Sequence, residues 1–363
     1  MILWFLYILP CVSWTPQITK VRVPPEGTVQ YISVKNKDTL FGYYHEDWKQ
    51  LLVTKKKHKT FSTKAWNLNI PEDFIMDVDF EIWNQEIHHI VTCYDKKDDL
   101  NRVYLNNRRF FYSKSLILKS MLLKIRDSLL SIVICRNGEL NIYNQTLNVE
   151  SFQSFNVNHS IFQIQQESDL LYLLDSFGTM SIFSLEKLEI IYQLPINITQ
   201  PIHSFHVYHS SPDTFDFIFS YLDKNFQLVR INLSTKEQEL LFQKKLTSMP
   251  LKVFNDKYKF MVACENESVL CFDNNGMLYF HLKNIFNRNY FHQWYVSNKY
   301  MVLDGVQEGL VIYEIPSPKL EGNTSMKYSY LKHTMTIPEF NTDQLKSNWS
   351  FPVTDSKNKT TGS

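Results

Sequence analysis

Short apolar runs of five or six residues alternate with polar turns of about four along much of this chain. Residues 131–144 read SIVIC-RNGE-LNIYN, 171–184 read LYLLD-SFGT-MSIFS, 259–273 read KFMVAC-ENES-VLCFD and 300–314 read YMVLDG-VQEG-LVIYE. Each is an apolar strand, a polar turn and a second strand that closes on an aromatic followed by a polar residue. Residues 89–105 and 217–232 fit with longer turns. Within strands the side chains alternate with a period of two, as in TVQYISVKN at 28–36, the signature of a half-buried strand. The segment at 115–127, SLILKSMLLKIRD, has the best helical spacing. It fills the slot of a repeat's first strand and is read as strand.

The closing apolar residues Tyr104, Tyr143, Phe183, Ile231, Phe272 and Tyr313 lie 39, 40, 48, 41 and 41 positions apart. A period near 42 with several short strands per unit predicts an all-β chain, a single seven-bladed β-propeller of four-stranded blades. The predicted blades are 15–57, 70–114, 115–156, 157–196, 199–244, 245–285 and a seventh from about 289, with an insertion around 55–69. Segments 18–23 and 327–337 would close the ring from the two termini, because an unpaired blade edge invites aggregation. The pairs Tyr143-Asn144, Phe183-Ser184, Phe272-Asp273 and Tyr313-Glu314 stand where WD-repeat propellers place their Trp-Asp dipeptide. The chain therefore resembles a degenerate WD-repeat propeller by repeat period. The Gly-His signature is missing, so the resemblance implies a fold and a habit of binding proteins, and transfers no functional residue.

Composition narrows the function classes. Thirty-eight Lys and Arg balance 37 Asp and Glu, for a net charge of +1, which leaves no global field to recruit nucleic acid. Only 9 glycines occur in 363 residues, too few for a Gly-rich phosphate cradle. Asn and Asp are expected to replace Gly in tight turns, at 223–225, 265–267 and 273–275, since they tolerate positive φ.

The start, MILWFLYILPCVSW, is too short to span a bilayer and reads as a signal peptide over residues 1–13. The propeller is expected over 15–338 and a polar tail over 339–363. Sequons begin at Asn144, Asn158, Asn197, Asn232, Asn266, Asn323, Asn348 and Asn358, about twice what chance would place, and the first six are candidate glycosylation sites. Cys93, Cys135 and Cys264 recur at one strand position in different units, and Cys264 and Cys271 flank a turn without facing each other. All four read as buried free thiols rather than as a disulfide framework.

Candidate chemistry is sparse. His203, His206 and His209 would suit zinc on a helix, but on a strand a spacing of three alternates faces, and a structural role is expected. Residues Lys55, Lys56, Lys57, His58 and Lys59 form a basic run expected at a solvated loop tip. Asp95, Asp98 and Asp99 form a charged turn without the spacing of a calcium loop. Tyr290, Phe291, Trp294 and Tyr295 are candidate partner contacts, with core packing as the competing reading. There is no catalytic motif, and no cofactor, metal or nucleic acid is expected.

These features point to a non-enzymatic binding scaffold in the secretory pathway, in the endoplasmic reticulum lumen or beyond, that recognises a protein partner through its loop faces. The alternatives are a cytosolic or nuclear subunit of a multiprotein complex, and a secreted propeller hydrolase or lectin with carboxylates and aromatics gathered at the central channel.

Overall fold

The computed structural model describes residues 18–23, 25–35, 39–57, 60–71, 74–145, 151–157, 159–196, 200–211, 213–273, 275–286, 294–297, 299–304 and 308–315. Their regular structure is entirely strand. After β1 (Thr19–Val23), blade one is β2 (Val29–Lys35), β3 (Leu40–His45), β4 (Gln50–Lys57) and β5 (Thr60–Asn67). Blade two is β6 (Phe74–Trp83), β7 (Glu86–Asp95), β8 (Leu100–Leu105) and β9 (Arg108–Ser113). Blade three is β10 (Ile117–Ile125), β11 (Ser128–Cys135), β12 (Glu139–Asn144) and β13 (Ser151–Asn156); blade four is β14 (Ile161–Glu167), β15 (Leu170–Asp175), β16 (Thr179–Ser184) and β17 (Glu189–Pro195). Blade five is β18 (Ile202–Ser211), β19 (Thr214–Tyr221), β20 (Asn225–Asn232) and β21 (Gln238–Lys245). Blade six is β22 (Pro250–Asn255), β23 (Lys259–Cys264), β24 (Ser268–Asp273) and β25 (Leu278–Leu282). Blade seven joins β26 (Trp294–Val296), β27 (Tyr300–Asp304) and β28 (Leu310–Glu314) to β1, which pairs antiparallel with β28 from Thr19↔Glu314 to Val23↔Leu310.

The core is distributed as seven seams, one between each pair of neighbouring blades. Second strands feed two seams at once. In β15, Leu171 and Leu173 pack toward blade three while Tyr172 and Leu174 pack toward blade five. Burial on both faces is why LLYLLD lacks the apolar–polar alternation of a half-buried strand. The seam that closes the ring brings Val302, Leu310, Ile312 and Val23 of blade seven against Val29, Phe41 and Leu52 of blade one. The fold is the expected seven-bladed propeller, and 117–125 is strand despite its helical spacing.

Two expectations need correction. Residues 55–69 are not an insertion: β4 runs through Lys57, and β5 is the outer strand of blade one, paired from Gln50↔Asn67 to Lys57↔Thr60. Being outermost, β5 carries the mixed sequence TFSTKAWN with mostly exposed side chains, which is why it resembled a loop. Residues 18–23 close the ring as expected, but as a strand of the last blade, so blade one begins at Val29 and not near residue 15. The partner closing segment at 327–337, the tail and residues 1–13 lie outside the described residues.

The turn chemistry also differs. The turns joining second to third strands place one residue at positive φ: Lys49, Asp99, Gly138, Gly178, Lys224, Glu267 and Gly309. In Asp223-Lys224-Asn225 the left-handed residue is the lysine, while Asp223 Oδ1 accepts the Asn225 N–H at 3.1 Å. Asp175 does the same for the N–H groups of Phe177 and Thr179. In these two turns the short acid serves as acceptor for the backbone and a later residue takes the left-handed seat, whereas in the β7–β8 turn Asp99 takes it itself.

Candidate functional site: the channel and the upper face

First strands β2, β6, β10, β14, β18 and β22 each carry a register shift near their start, between Gln30/Ser33, Ile75/Asp77, Ile117/Lys119, Ile161/Gln163, Ile202/Ser204 and Pro250/Lys252. These strands pack on one another around the axis. A bulge re-aims the side chains that follow it, and here those residues are largely polar. They bind blade to blade. Asp79 of blade two accepts hydrogen bonds from the Ser33 hydroxyl and Lys35 Nζ (3.2 Å) of blade one and from the Leu122 N–H (2.9 Å) of blade three. Asp77 accepts from Lys119 Nζ at 2.9 Å and the Ser120 N–H at 3.2 Å. Gln163 and Gln165 of blade four bond the His203 carbonyl and, at 2.9 Å, the Val207 N–H of blade five. His206 Nδ1 lies 2.9 Å from Asn255 Oδ1 of blade six.

Burial opposes the charge of Asp79, yet Lys35 and Lys119, helped by the Ser33 hydroxyl and the Leu122 N–H, hold its carboxyl below the usual range. Glu81, one turn of the pleat further on, is pushed up by burial. Burial, and then the nearby Lys119 ammonium, push Lys252 down. Lys252 makes no hydrogen bond or ion pair with any described residue. Asp77, Asp79 and Glu81 do line the channel, but on one strand. Asp77 and Asp79 are occupied by lysines and backbone N–H groups, the arrangement of a clamp between blades.

The three histidines part company. His206 packs at a tilt against Phe254 (4.5 Å between centroids), and burial pushes it down to about 4. His209 Nε2 meets the Tyr172 hydroxyl, and burial lowers it too. Among the described residues no group of His, Cys, Asp and Glu is disposed to hold a metal. Cys93, Cys135, Cys264 and Cys271 are free and buried, and Cys264 sits opposite Ser268 rather than Cys271. Of the basic run, Lys55, Lys56 and Lys57 lie on β4 rather than in a loop, and His58 and Lys59 lie outside the described residues. Lys56 Nζ reaches Glu314 Oε1 at 2.7 Å and lies 4.4 Å above the Tyr300 ring, tying blade one to blade seven. The acidic turn is neutralised by Arg102, which pairs with Asp95 at 2.8 Å and with Asp98. A notch of about 210 Å³ between blades three and four, lined by Ile125, Leu130, Ile142 and Leu188, is bordered by the Arg126–Glu186 pair.

Trp294 and Tyr295 are half-buried on β26 and pack against the seams on either side of blade seven; Tyr290 and Phe291 lie outside the described residues. Of the sequons, Asn144 is half-buried at the end of β12, Asn232 is half-buried with its Oδ1 accepting two turn N–H groups, and Asn266 is exposed in the β23–β24 turn. Asn158, Asn197, Asn323, Asn348 and Asn358 are outside the described residues.

Exposed large apolar side chains are distributed unevenly. We call upper the face formed by the second-to-third-strand turns and the connections between blades. Trp48 (52 % exposed), Phe177 (78 %) and Leu222 lie in such turns, Leu116 in a connection, Phe74 at the first residue of β6 and Phe162 at the second residue of β14. Tyr112, Leu240, Leu241 and Leu278 lie on outer strands. None of these ten is in a lower-face turn among the described residues. His159 packs edge-on against Phe177 at 5.1 Å, so blade four presents a small aromatic platform. Sequence reasoning missed this face because turn residues carry no periodicity. It also missed the channel set, although Asp77, Lys119 and Gln163 recur 42 and 44 residues apart, close to the repeat period.

No protein-family model matches the chain, and no curated protein matches it by sequence. Among solved structures it is similar to Saccharomyces cerevisiae Sqt1, with a TM-score of 0.52, 10 % identity, and coverage of 80 % of this chain and 84 % of that one. Because 1529 solved chains match, and this one at so low an identity, the likeness shows the propeller fold and nothing finer.

Proposed function

We propose that this propeller is a non-enzymatic scaffold that docks a protein partner on its upper face. The observation that carries the reading is the confinement of the exposed turn aromatics and leucines to that face, since apolar groups clustered on a rigid rim mark interaction sites. The occupied channel carboxylates support a structural rather than hydrolytic role. Expressed in its own cells, the wild-type chain should elute as a complex well above its 43.1 kDa. The Trp48→Asp/Phe177→Asp variant should elute near the monomer mass with unchanged unfolding. A complex unaffected by that pair would overturn the assignment of the face.

We place this scaffold in the secretory pathway, on the apolar start and the sequons, of which Asn266 is the most accessible described one. Four buried thiols, none bridged, favour a cytosolic or nuclear subunit as the second reading. N-terminal sequencing and intact mass before and after N-glycosidase decide between them: a start near Trp14 with a glycan shift supports the first, an intact Met1 with no shift the second.

A further inference from the structure

Blade one meets the upper face with two segments locked to each other, the β1–β2 connection and the β3–β4 turn. Gly27 makes the approach possible. Its φ of 133° lies where glycine is favoured, and a Cβ there would stand 2.6 Å from the His45 ring and 2.8 Å from Asp47 Oδ2. Across this contact His45 Nε2 lies 3.0 Å from the Glu26 carbonyl, the Glu46 N–H donates to the Thr28 carbonyl at 3.0 Å, and the Gln30 amide donates to Glu46 Oε2 at 3.0 Å. The Gly309 N–H donates to the Gly27 carbonyl at 3.1 Å, so blade seven holds the same corner. His45 is buried, and Trp48 stacks on its ring with 4.5 Å between centroids and 24° between planes. The indole is thus seated on a fixed floor while half of its surface faces solvent.

The surroundings of that indole are acidic. Glu26, Glu46 and Asp47 are exposed, and none of them is ion-paired with a described Lys or Arg. On blade seven, Lys20 and Arg22 are both taken by Glu308 at 2.7 Å, which leaves Lys49 as the cation of the turn. Phe177 stands in a different setting: the acid of its turn, Asp175, is buried and spent on backbone N–H groups, and its aromatic neighbour is His159. An exposed indole beside unneutralised carboxylates is complementary to a cation carried on an apolar stem, whose N–H groups the carboxylates accept. We propose that the Trp48 corner of blade one receives an arginine or lysine side chain from a basic segment of the docked protein, packed on the indole with its donors turned to Glu26, Glu46 and Asp47. This gives a chemistry to one part of the docking face proposed above, and it rests on that reading.

The test is fluorescence anisotropy of a labelled hexapeptide, GLRLRG, and its acidic counterpart, GLELEG, titrated with the full chain. The wild type should bind GLRLRG about tenfold or more tightly than GLELEG, with a preference that shrinks as salt is raised. Trp48→Ala should weaken GLRLRG binding about threefold or more. Glu46→Gln/Asp47→Asn, which keeps the oxygen acceptors that Gln30 and Thr28 use, should do the same and should unfold at the wild-type midpoint. Asp127→Asn/Glu189→Gln, the same change of charge on the lower face, should bind as the wild type does. No binding of GLRLRG, equal affinity for the two peptides, or binding unchanged in Glu46→Gln/Asp47→Asn overturns the basic occupant. The docking face is read separately. If the cellular complex dissolves in Trp48→Asp/Phe177→Asp while the peptides show no preference, the face stands and its basic occupant falls. If the complex survives that variant, the face falls and the inference with it.

Discussion

Single residues in this ring are chosen by what a turn, a seam or the channel demands of them. Lys224 holds a left-handed conformation (φ 70°) that costs an L-residue roughly 1 kcal/mol relative to glycine. Its backbone bonds to Tyr221 and Leu246 need no side chain. Lys224→Gly should therefore raise stability by about 0.5–1 kcal/mol in urea unfolding. Gly42 shows the opposite demand: its backbone is ordinary, but a Cβ there would run into the buried Phe80 ring of blade two. Glu167, at the end of β14, has a buried Oε2 without a described partner, and burial raises its carboxyl from 4.5 to about 7. The folded state therefore prefers the protonated acid. The penalty is absent below about pH 4.5, grows as pH rises, and is complete above about 7. Glu167→Gln should match the wild type at pH 4 and exceed it by about 1–3 kcal/mol at pH 8, measured by denaturant unfolding at both pH values.

At the scale of elements, legibility followed burial. Second and third strands, buried on both faces, stood out as apolar runs, and so blades three to six were found within a few residues of their observed limits. Outer strands were hard to read because one face is solvent: β5 looked like an insertion, and β21, QELLFQKK, is exposed along most of its length. The first strands hid their function because their polar residues contact the next blade some 42 residues away, a relation visible only once the blades are aligned. The closing strand was legible as a ring-closing segment but not by its pairing, because its partner β28 lies almost 300 residues away. Val23 is fully buried in the seam it closes. Val23→Asp should cost roughly 3 kcal/mol or more, whereas Leu240→Asp, on an exposed outer strand, should cost under about 0.5 kcal/mol. Equal effects of the two in urea unfolding would show that β1 does not hold the ring shut.

For the whole molecule, the ring has no single centre of hydrophobic mass. Seven seams share the core, polar clamps knit the axis, and what remains for function is the surface at either end. The two ends differ: one carries six exposed large apolar side chains, while the other carries turns such as Asn84-Gln85 and Asn106-Asn107. The most direct measurement is site-specific photo-cross-linking in the protein's own cells, with the probe at Phe177 on the upper face or at Lys187 on the lower. The account predicts a discrete cross-linked partner from position 177 and none from position 187. Equal cross-linking from both, or cross-linking from 187 alone, would contradict it.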